Sequence, residues 1–240
     1  MQQTHTKPPQ ALNLRNAQIY EITPFTMLDF PDHIAAIAWF CGCNMRCNYC
    51  YNPQIVTSRG KISNEEFLRF LDARAGKLQG IVFSGGECTC ASDFIPLAHE
   101  VKQRGFLLKV DTNGSNPQKI EEALSLGLID YIALDFKAPR RDFELITKSS
   151  LYDKFLQTLR LLLRRNFKFE VRTTVHADFL NEAKIEQMAQ ILYSEGYRGV
   201  YYLQNFLPTG DNFGNLSAPL ASFNPSKIHT ELKIELRNFD

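Results

Sequence analysis

The chain has 240 residues, 44% of them hydrophobic and 22% charged, with a formal net charge of +1. That length suits one medium α/β domain or two small ones, and the balanced charge removes any general pull towards nucleic acid or anionic membranes. No apolar run approaches the roughly 18–20 residues of a spanning helix, so a cytoplasmic protein without a membrane segment is expected. The first stretch, 1–18, is polar, carries Lys7-Pro8-Pro9 and lacks an apolar signal core, and reads as a flexible lead-in.

Residues 19–30 hold a first strand or strand-turn, ending at Asp29-Phe30-Pro31-Asp32. Residues 34–40 form a short continuous apolar run, as expected of a buried strand in a parallel sheet. Ser63, with Glu66 three residues later, makes a capping box that opens a helix to about residue 75. Strands at 80–84, 106–111, 129–134, 167–175 and 199–205 then alternate with helices at 92–104, 117–126, 151–165 and 181–195. Such alternation implies right-handed βαβ units and a parallel sheet. Six strands are too few for a closed eightfold barrel, so a partial (β/α)6 TIM-like barrel, open on one side, is expected. Residues 207–224 are loop-like, and 231–237 alternate apolar with charged residues as a terminal edge strand would. A short helix from about Ser226 is the competing reading. No Pro/Ser/Gly-rich linker separates the units, which gives a single domain over 19–240, with its core at 19–206 and a C-terminal extension at 207–240.

In parallel βα folds, ligands bind at the C-terminal ends of the strands. Polar residues gather at those ends: Cys43, then Ser84-Gly85-Gly86-Glu87, Asp111-Thr112-Asn113-Gly114, Asp135 with Lys137, Arg172, and Gln204 with Asn205. Six successive strand ends thus converge on one mouth.

The cysteines say what that mouth could hold. All six lie at 41–50 or 88–90, whereas a disulfide scaffold would spread its staples. Cys43, Cys47 and Cys50 form a Cys-x3-Cys-x2-Cys set. A structural zinc site needs four ligands, usually in two spaced pairs, and this set matches that poorly. A redox pair at Cys47 and Cys50 leaves Cys43 without a role. Three thiolates on a four-iron cubane leave one iron open for a substrate.

That set, with an aromatic just before its last Cys, resembles the signature of the radical S-adenosylmethionine (SAM) superfamily, and Gly85-Gly86-Glu87 resembles the Gly-Gly-Glu motif of the same family. Asp29-Phe30-Pro31-Asp32-His33, the run from Phe40 to Pro53, Asp111-Thr112-Asn113-Gly114 and Leu134-Asp135-Phe136-Lys137 are similar to motifs of glycyl-radical-enzyme activating proteins. Within that group the chain most resembles the branch for anaerobic ribonucleotide reductase. The resemblance spans about residues 19–206 and implies a barrel of the radical SAM type.

By resemblance, Cys43, Cys47 and Cys50 hold a 4Fe–4S cluster, and SAM chelates the fourth iron. A reduced cluster would cleave SAM to methionine and a 5′-deoxyadenosyl radical, which takes hydrogen from a glycine of a partner enzyme. The electron would come from a flavodoxin- or ferredoxin-type donor. Gly85 and Gly86 would let the backbone approach SAM, Glu87 would meet its ammonium, and Lys137 and Arg172 its carboxylate. Asp111 and Asn113 would contact ribose or, with Asp135, a monovalent cation. Tyr49 would cover the adenine or shield the cluster, Tyr51 stands where relatives carry His, and Asp29 would meet the glycine-bearing loop.

Each feature has a plainer reading. Gly85-Gly86 and the Asp111 tetrapeptide are ordinary turn formers, Asp135 and Lys137 could be a surface pair, and Arg172 could be structural. Arg160, Arg164, Arg165 and Lys168 read as a solvated basic face. Cys88 and Cys90 stand where relatives have Pro and beyond, Asp32 replaces a Gly, and Leu207 lies near the place of a SAM-contacting His, for which Gln204 or Asn205 could substitute. Two other functions compete with the activase: a radical SAM enzyme for a small molecule such as a deazapurine precursor, and a non-catalytic metal- or redox-binding module.

Overall fold

Eight strands share one sheet in chain order in the computed structural model, which describes residues 12–208 and 210–239. The chain begins with β1 (Ile19–Thr26) and β2 (Ala35–Phe40), an antiparallel pair. Two helices follow, α1 (Pro53–Thr57) and α2 (Asn64–Arg74), before β3 (Gly80–Gly85). Next come α3 (Phe94–Gln103), β4 (Leu107–Thr112), α4 (Pro117–Ser125) and β5 (Tyr131–Asp135). Then α5 (Arg140–Thr147) and α6 (Tyr152–Arg164) lead to β6 (Phe169–Val175). The chain finishes with α7 (Glu182–Ser194), β7 (Tyr201–Asn205) and β8 (Ile234–Arg237).

Strands β2 to β8 run parallel, and β1 and β8 are the two edges, so the barrel stays open. The expected terminal strand is β8, and the competing helix at Ser226 is a single 3-10 turn, Pro225–Lys227. Helix α2 starts as the capping box requires: Ser63 Oγ accepts from the Glu66 amide at 3.2 Å, and Glu66 Oε2 accepts from the Ser63 amide at 2.8 Å. Two helices, α1 and α5, are additional to the elements expected from the sequence.

Residues 1–11 of the expected lead-in lie outside the described residues. The remainder is held by α2 and the start of α3. Asn64 Nδ2 donates to the Asn13 carbonyl at 2.7 Å, and Asn16 Nδ2 donates to Asp93 at 2.6 Å. No helix among the described residues is long and apolar enough to cross a membrane.

Alternation along each strand divides the sheet into two surfaces. Ile81, Phe83, Leu108, Val110, Ile132 and Leu134 pack outwards against the helices. The inner surface has a small apolar floor of Phe30, Ala35, Ile37, Val82 and Tyr131. Above that floor the inward positions turn polar, and there the site is built.

Candidate active site

The cysteine loop follows β2 and is fixed from several sides by backbone bonds. The Arg46 and Asn48 amides donate to the Thr147 and Ile146 carbonyls at 2.8 and 2.9 Å. These carbonyls lie in the last turn of α5, where helix carbonyls lack intrahelical partners. On another side, the Glu87 amide donates to the Gly42 carbonyl at 2.9 Å, and the Gly86 amide to Phe40 at 2.8 Å. A side chain on Gly86 would place its Cβ 1.9 Å from the Gly42 oxygen, and one on Gly85, whose φ is +112°, would lie 2.4 Å from the Phe40 nitrogen. The two glycines are therefore required for β3 and its loop to seat against the cysteine loop. Close approach of backbone to backbone, and not only to a ligand, accounts for them.

Cys43, Cys47 and Cys50 open into one cavity of about 370 Å³, a size within the range of small-ligand pockets. Asp29, Tyr49, Tyr51, Gly85, Gly86, Asp111, Asn113, Asp135, Lys137 and Arg172 line the same cavity. Gln204 is there as well, whereas Asn205 and Leu207 are not among its walls. The strand ends thus converge as their order suggested.

Glu87 is placed differently from the other strand-end residues. It is 1% exposed and is not part of the cavity wall. One carboxylate oxygen accepts from the Thr89 amide (3.2 Å), Thr89 Oγ1 (2.5 Å) and Thr112 Oγ1 (2.8 Å), and the other from the Asn113 amide (2.7 Å). These bonds hold the β3 and β4 loops together, with three on Oε1 and one on Oε2. Burial raises its pKa, while those donors pull it down.

The rear of the cavity is a chain of alternating charges. Lys109 Nζ lies 2.5 Å from Asp111 Oδ1, and Arg172 Nη2 lies 3.2 Å from Asp111 Oδ2. Arg172 Nε donates to Asp135 Oδ1 at 2.5 Å, and Lys137 Nζ to Asp135 Oδ2 at 2.9 Å. Three cations thus face two carboxylates, a surplus of one positive charge. Burial alone would raise the pKa of Asp135, but Arg172 and Lys137 overcome it and hold it at about 2. Asp111 is lowered in the same way by Arg172 and Lys109 against burial. Burial also works against the charge on Lys137, and Asp135 more than offsets it, raising its pKa. Lys109, only 2% exposed, lies inside an apolar strand. Its signal in the sequence is parity: it stands two residues before Asp111 and so shares its face.

The remaining expected residues are tied to the scaffold. Tyr49 is buried, and its hydroxyl donates to the Lys137 carbonyl at 2.8 Å, joining the cysteine loop to the end of β5. Tyr51 stacks on Phe206 with ring centroids 5.6 Å apart, and its hydroxyl accepts from the Leu207 amide at 2.9 Å. It fastens the cysteine loop to the end of β7. Asp29 accepts from Thr26 Oγ1 at 2.5 Å in a turn that leaves Met27 and Leu28 exposed. Asp32 has φ +64°, so it occupies a left-handed position of the kind glycine favours and Asp tolerates.

Burial pushes the Cys43 thiol up to about 12, with Glu87 adding to it, and the Cys47 thiol up to about 11. Metal uptake here must release protons. Asn113 Nδ2 lies 3.9 Å and the Met45 amide 3.4 Å from Cys43 Sγ, donors of the kind that tune a thiolate-bound cluster. Among the described residues no three His, Cys, Asp or Glu side chains stand close enough to hold a single metal ion. Three thiols spread round a cavity suit a polynuclear cluster, whose corners are separated, better than one zinc ion. Cys88 is buried and donates weakly to the Phe83 and Asp111 carbonyls, while Cys90 is exposed and accepts from Asn116.

The Radical SAM superfamily pattern matches residues 37–192. A Methanocaldococcus jannaschii protein, named provisionally as a glycyl-radical enzyme activating enzyme, is 33% identical over 202 residues, covering 80% of this chain and 81% of that one. The pyruvate formate-lyase-activating enzyme of Clostridium pasteurianum is 31% identical over 130 residues, covering 50% of this chain and 52% of its own length. The structure of Streptococcus suis SuiB bound to S-adenosylmethionine superposes with a TM-score of 0.64 at 10% identity, over 82% of this chain and 48% of that one. The chain thus spans about half the length of these last two proteins, and at 10% identity the SuiB likeness shows the fold alone.

Proposed function

The chain belongs to the radical SAM superfamily, and on that premise we propose that it is an activase that generates a glycyl radical on a partner enzyme. The observation that carries this reading is the shared cavity, which brings three thiols and the ion pairs of Asp111, Arg172, Asp135 and Lys137 to one mouth. Cys43, Cys47 and Cys50 would hold a 4Fe–4S cluster, with no fourth protein thiol among the cavity walls. When bound, that cluster supplies the electron that splits SAM into methionine and a 5′-deoxyadenosyl radical.

The protein's own residues bind, orient and exclude water. Lys137 and Arg172 offer charge-assisted bonds to the carboxylate of SAM. Their aspartate partners keep them fixed, so little reorganisation is needed on binding. Asp111 and Asn113 are placed for ribose, and Tyr49 closes the wall beside Cys47 and Cys50. Glu87 acts one step back, by setting the loops that carry Gly86 and Asn113. Asp29, on a fixed turn beside exposed Met27 and Leu28, is the residue for an incoming glycine segment. Names of relatives favour a glycyl radical enzyme as substrate, and the sequence motifs favour anaerobic ribonucleotide reductase, with a flavodoxin- or ferredoxin-type donor.

The test is anaerobic. Reconstituted, reduced protein given SAM should release 5′-deoxyadenosine, and Cys47→Ala should not; release at the normal rate by that variant removes the cluster assignment. Mixed with anaerobic ribonucleotide reductase, the wild type should produce a glycyl doublet in electron paramagnetic resonance. Deoxyadenosine without a doublet rules out that partner and redirects the reading to another glycyl radical enzyme or a small molecule.

A further inference from the structure

Two aspartates at neighbouring strand ends, Asp111 and Asp135, look into the same part of the cavity. Paired buried carboxylates need positive charge between them, because like charges in a low-dielectric site oppose each other's ionisation. A monovalent metal ion is one way to supply it. In this structure a side chain stands there instead. Arg172 is the register partner of Asp135 on the adjacent strand, and its guanidinium reaches both aspartates, at 2.5 and 3.2 Å. The other oxygens are engaged too. Lys109 lies 2.5 Å from Asp111 Oδ1, Lys137 lies 2.9 Å from Asp135 Oδ2, and Ser84 donates to Asp111 Oδ2 at 3.0 Å.

We infer that Arg172 is the resident cation of this site, doing between Asp111 and Asp135 what a sodium or potassium ion would otherwise have to do. Binding in the cavity is therefore independent of the alkali cation. Charge counting supports this: the chain already has three cations for two anions, and a metal ion would bring the buried surplus to two. Geometry supports it as well, since a guanidinium is planar, cannot lose its proton here and directs several donors at once. A lysine at the same position would act as a point charge and could not bridge both carboxylates by a fixed fork.

The test has an arm that needs neither cluster nor SAM. Thermal unfolding of the apo-protein is followed in sodium, potassium and tetramethylammonium chloride at matched ionic strength, with and without millimolar guanidinium. Wild type is expected to show the same Tm in all of them. Arg172→Ala is expected to lose about 10 °C, the scale of breaking a buried charge pair in a chain of this size. Potassium, sodium or guanidinium should restore at least half of that loss, and tetramethylammonium none. A wild-type Tm that depends on the small cation, or a loss in Arg172→Ala that no cation restores, overturns the proposal. If Arg172→Ala does not fold, Asp111→Asn/Arg172→Gln decides, because removing one carboxylate should let the chain fold with a Tm indifferent to the salt. A double variant that also fails to fold, or whose Tm follows the salt, overturns it equally.

The second arm rests on the SAM reading. Reconstituted wild type should bind SAM with the same Kd in potassium and tetramethylammonium salts, and a tenfold weakening in the latter counts against Arg172 as the resident cation. No SAM binding in any salt instead defeats the radical SAM assignment, and the thermal arm then judges Arg172 by itself.

Discussion

On β4, Leu108 and Val110 turn outwards into the helical layer, while their neighbours Lys109 and Asp111 turn inwards, Asp111 onto the cavity wall with Lys109 paired to it. The same division runs through β5, where Ile132 and Leu134 face out and Asp135 faces in, and through β6, where Val171 faces out and Arg172 in. The outer surface is held by contacts that have no direction, so its residues are exchangeable for others of similar volume. Each charged inner residue has named partners at bonding distance, and removing one leaves a buried charge uncompensated. One surface therefore carries stability, and the other carries stability together with the site. The difference should appear as mutations that move folding alone against mutations that move folding and binding together.

The largest effect on stability is expected from the outer surface. Phe83 is fully buried, with its ring centroid 4.8 Å from that of Phe40 and 6.1 Å from those of Phe67 and Phe94. Phe83→Ala should cost about 3–5 kcal/mol, read from urea unfolding, while the Kd for SAM at a temperature where the variant is folded stays near the wild-type value. A tenfold loss of affinity would show that the two surfaces are not separable. Asp135→Asn should cost rather less, about 3 kcal/mol, because it leaves Arg172 and Lys137 facing a neutral amide. Unlike Phe83→Ala, it should also weaken SAM binding, since the two cations lose the partner that aims them.

The outer surface was legible because alternation and helical period are properties of residue type. The inner surface was legible only in part. Asp111, Asp135 and Arg172 stand at strand ends, where polarity stands out, but Lys109 is hidden in a run that otherwise reads as core. Glu87 has the residue type of a ligand, and its direction, inwards onto Thr89, Thr112 and Asn113, depends on how two loops meet. Gly85 and Gly86 read as a place where backbone approaches a ligand closely, and the approach visible in the structure is to the backbone of Phe40 and Gly42. Helix α5 escaped notice because it is short and follows Pro139, although Phe143 and Ile146 give it a buried face. Its role, to offer Ile146 and Thr147 carbonyls to the cysteine loop, is a matter of tertiary contact that no local pattern announces.

Acid should separate the two surfaces without any mutation. Asp135 titrates at about 2 in the folded chain against an ordinary value of 3.8. A depressed carboxylate contributes stability that is complete above its unfolded pKa and is lost as pH falls through its folded pKa. The contribution of about 2 kcal/mol should therefore be present above pH ~5 and disappear towards pH ~2, with Asp111 acting in the same direction. The difference in unfolding free energy between wild type and Asp135→Asn should shrink over that interval, whereas the difference between wild type and Phe83→Ala should stay constant. A constant gap for both would mean that Asp135 is not held down by its cations.

The smallest effects give the sharpest comparison, because they can be matched in size. Ser63→Ala removes the cap of α2 on the outer layer and should cost about 1 kcal/mol. Tyr51→Phe removes the hydroxyl that accepts from the Leu207 amide at 2.9 Å and donates to the Asn205 carbonyl at 3.3 Å, but it keeps the stacking on Phe206. With the ring half-exposed, that loss is also about 1 kcal/mol. The two variants should be indistinguishable by urea unfolding and different in binding. Ser63 is not part of the cavity wall, whereas Tyr51 is part of it and joins the cysteine loop to the end of β7. Loosening that join should weaken SAM binding by a few-fold, corresponding to about 1 kcal/mol or less, while Ser63→Ala leaves it unchanged. Equal Kd values for the two variants would place the fastening of the cysteine loop elsewhere, on the carbonyls of α5, and make Arg46 and Asn48 the residues that hold the mouth in shape.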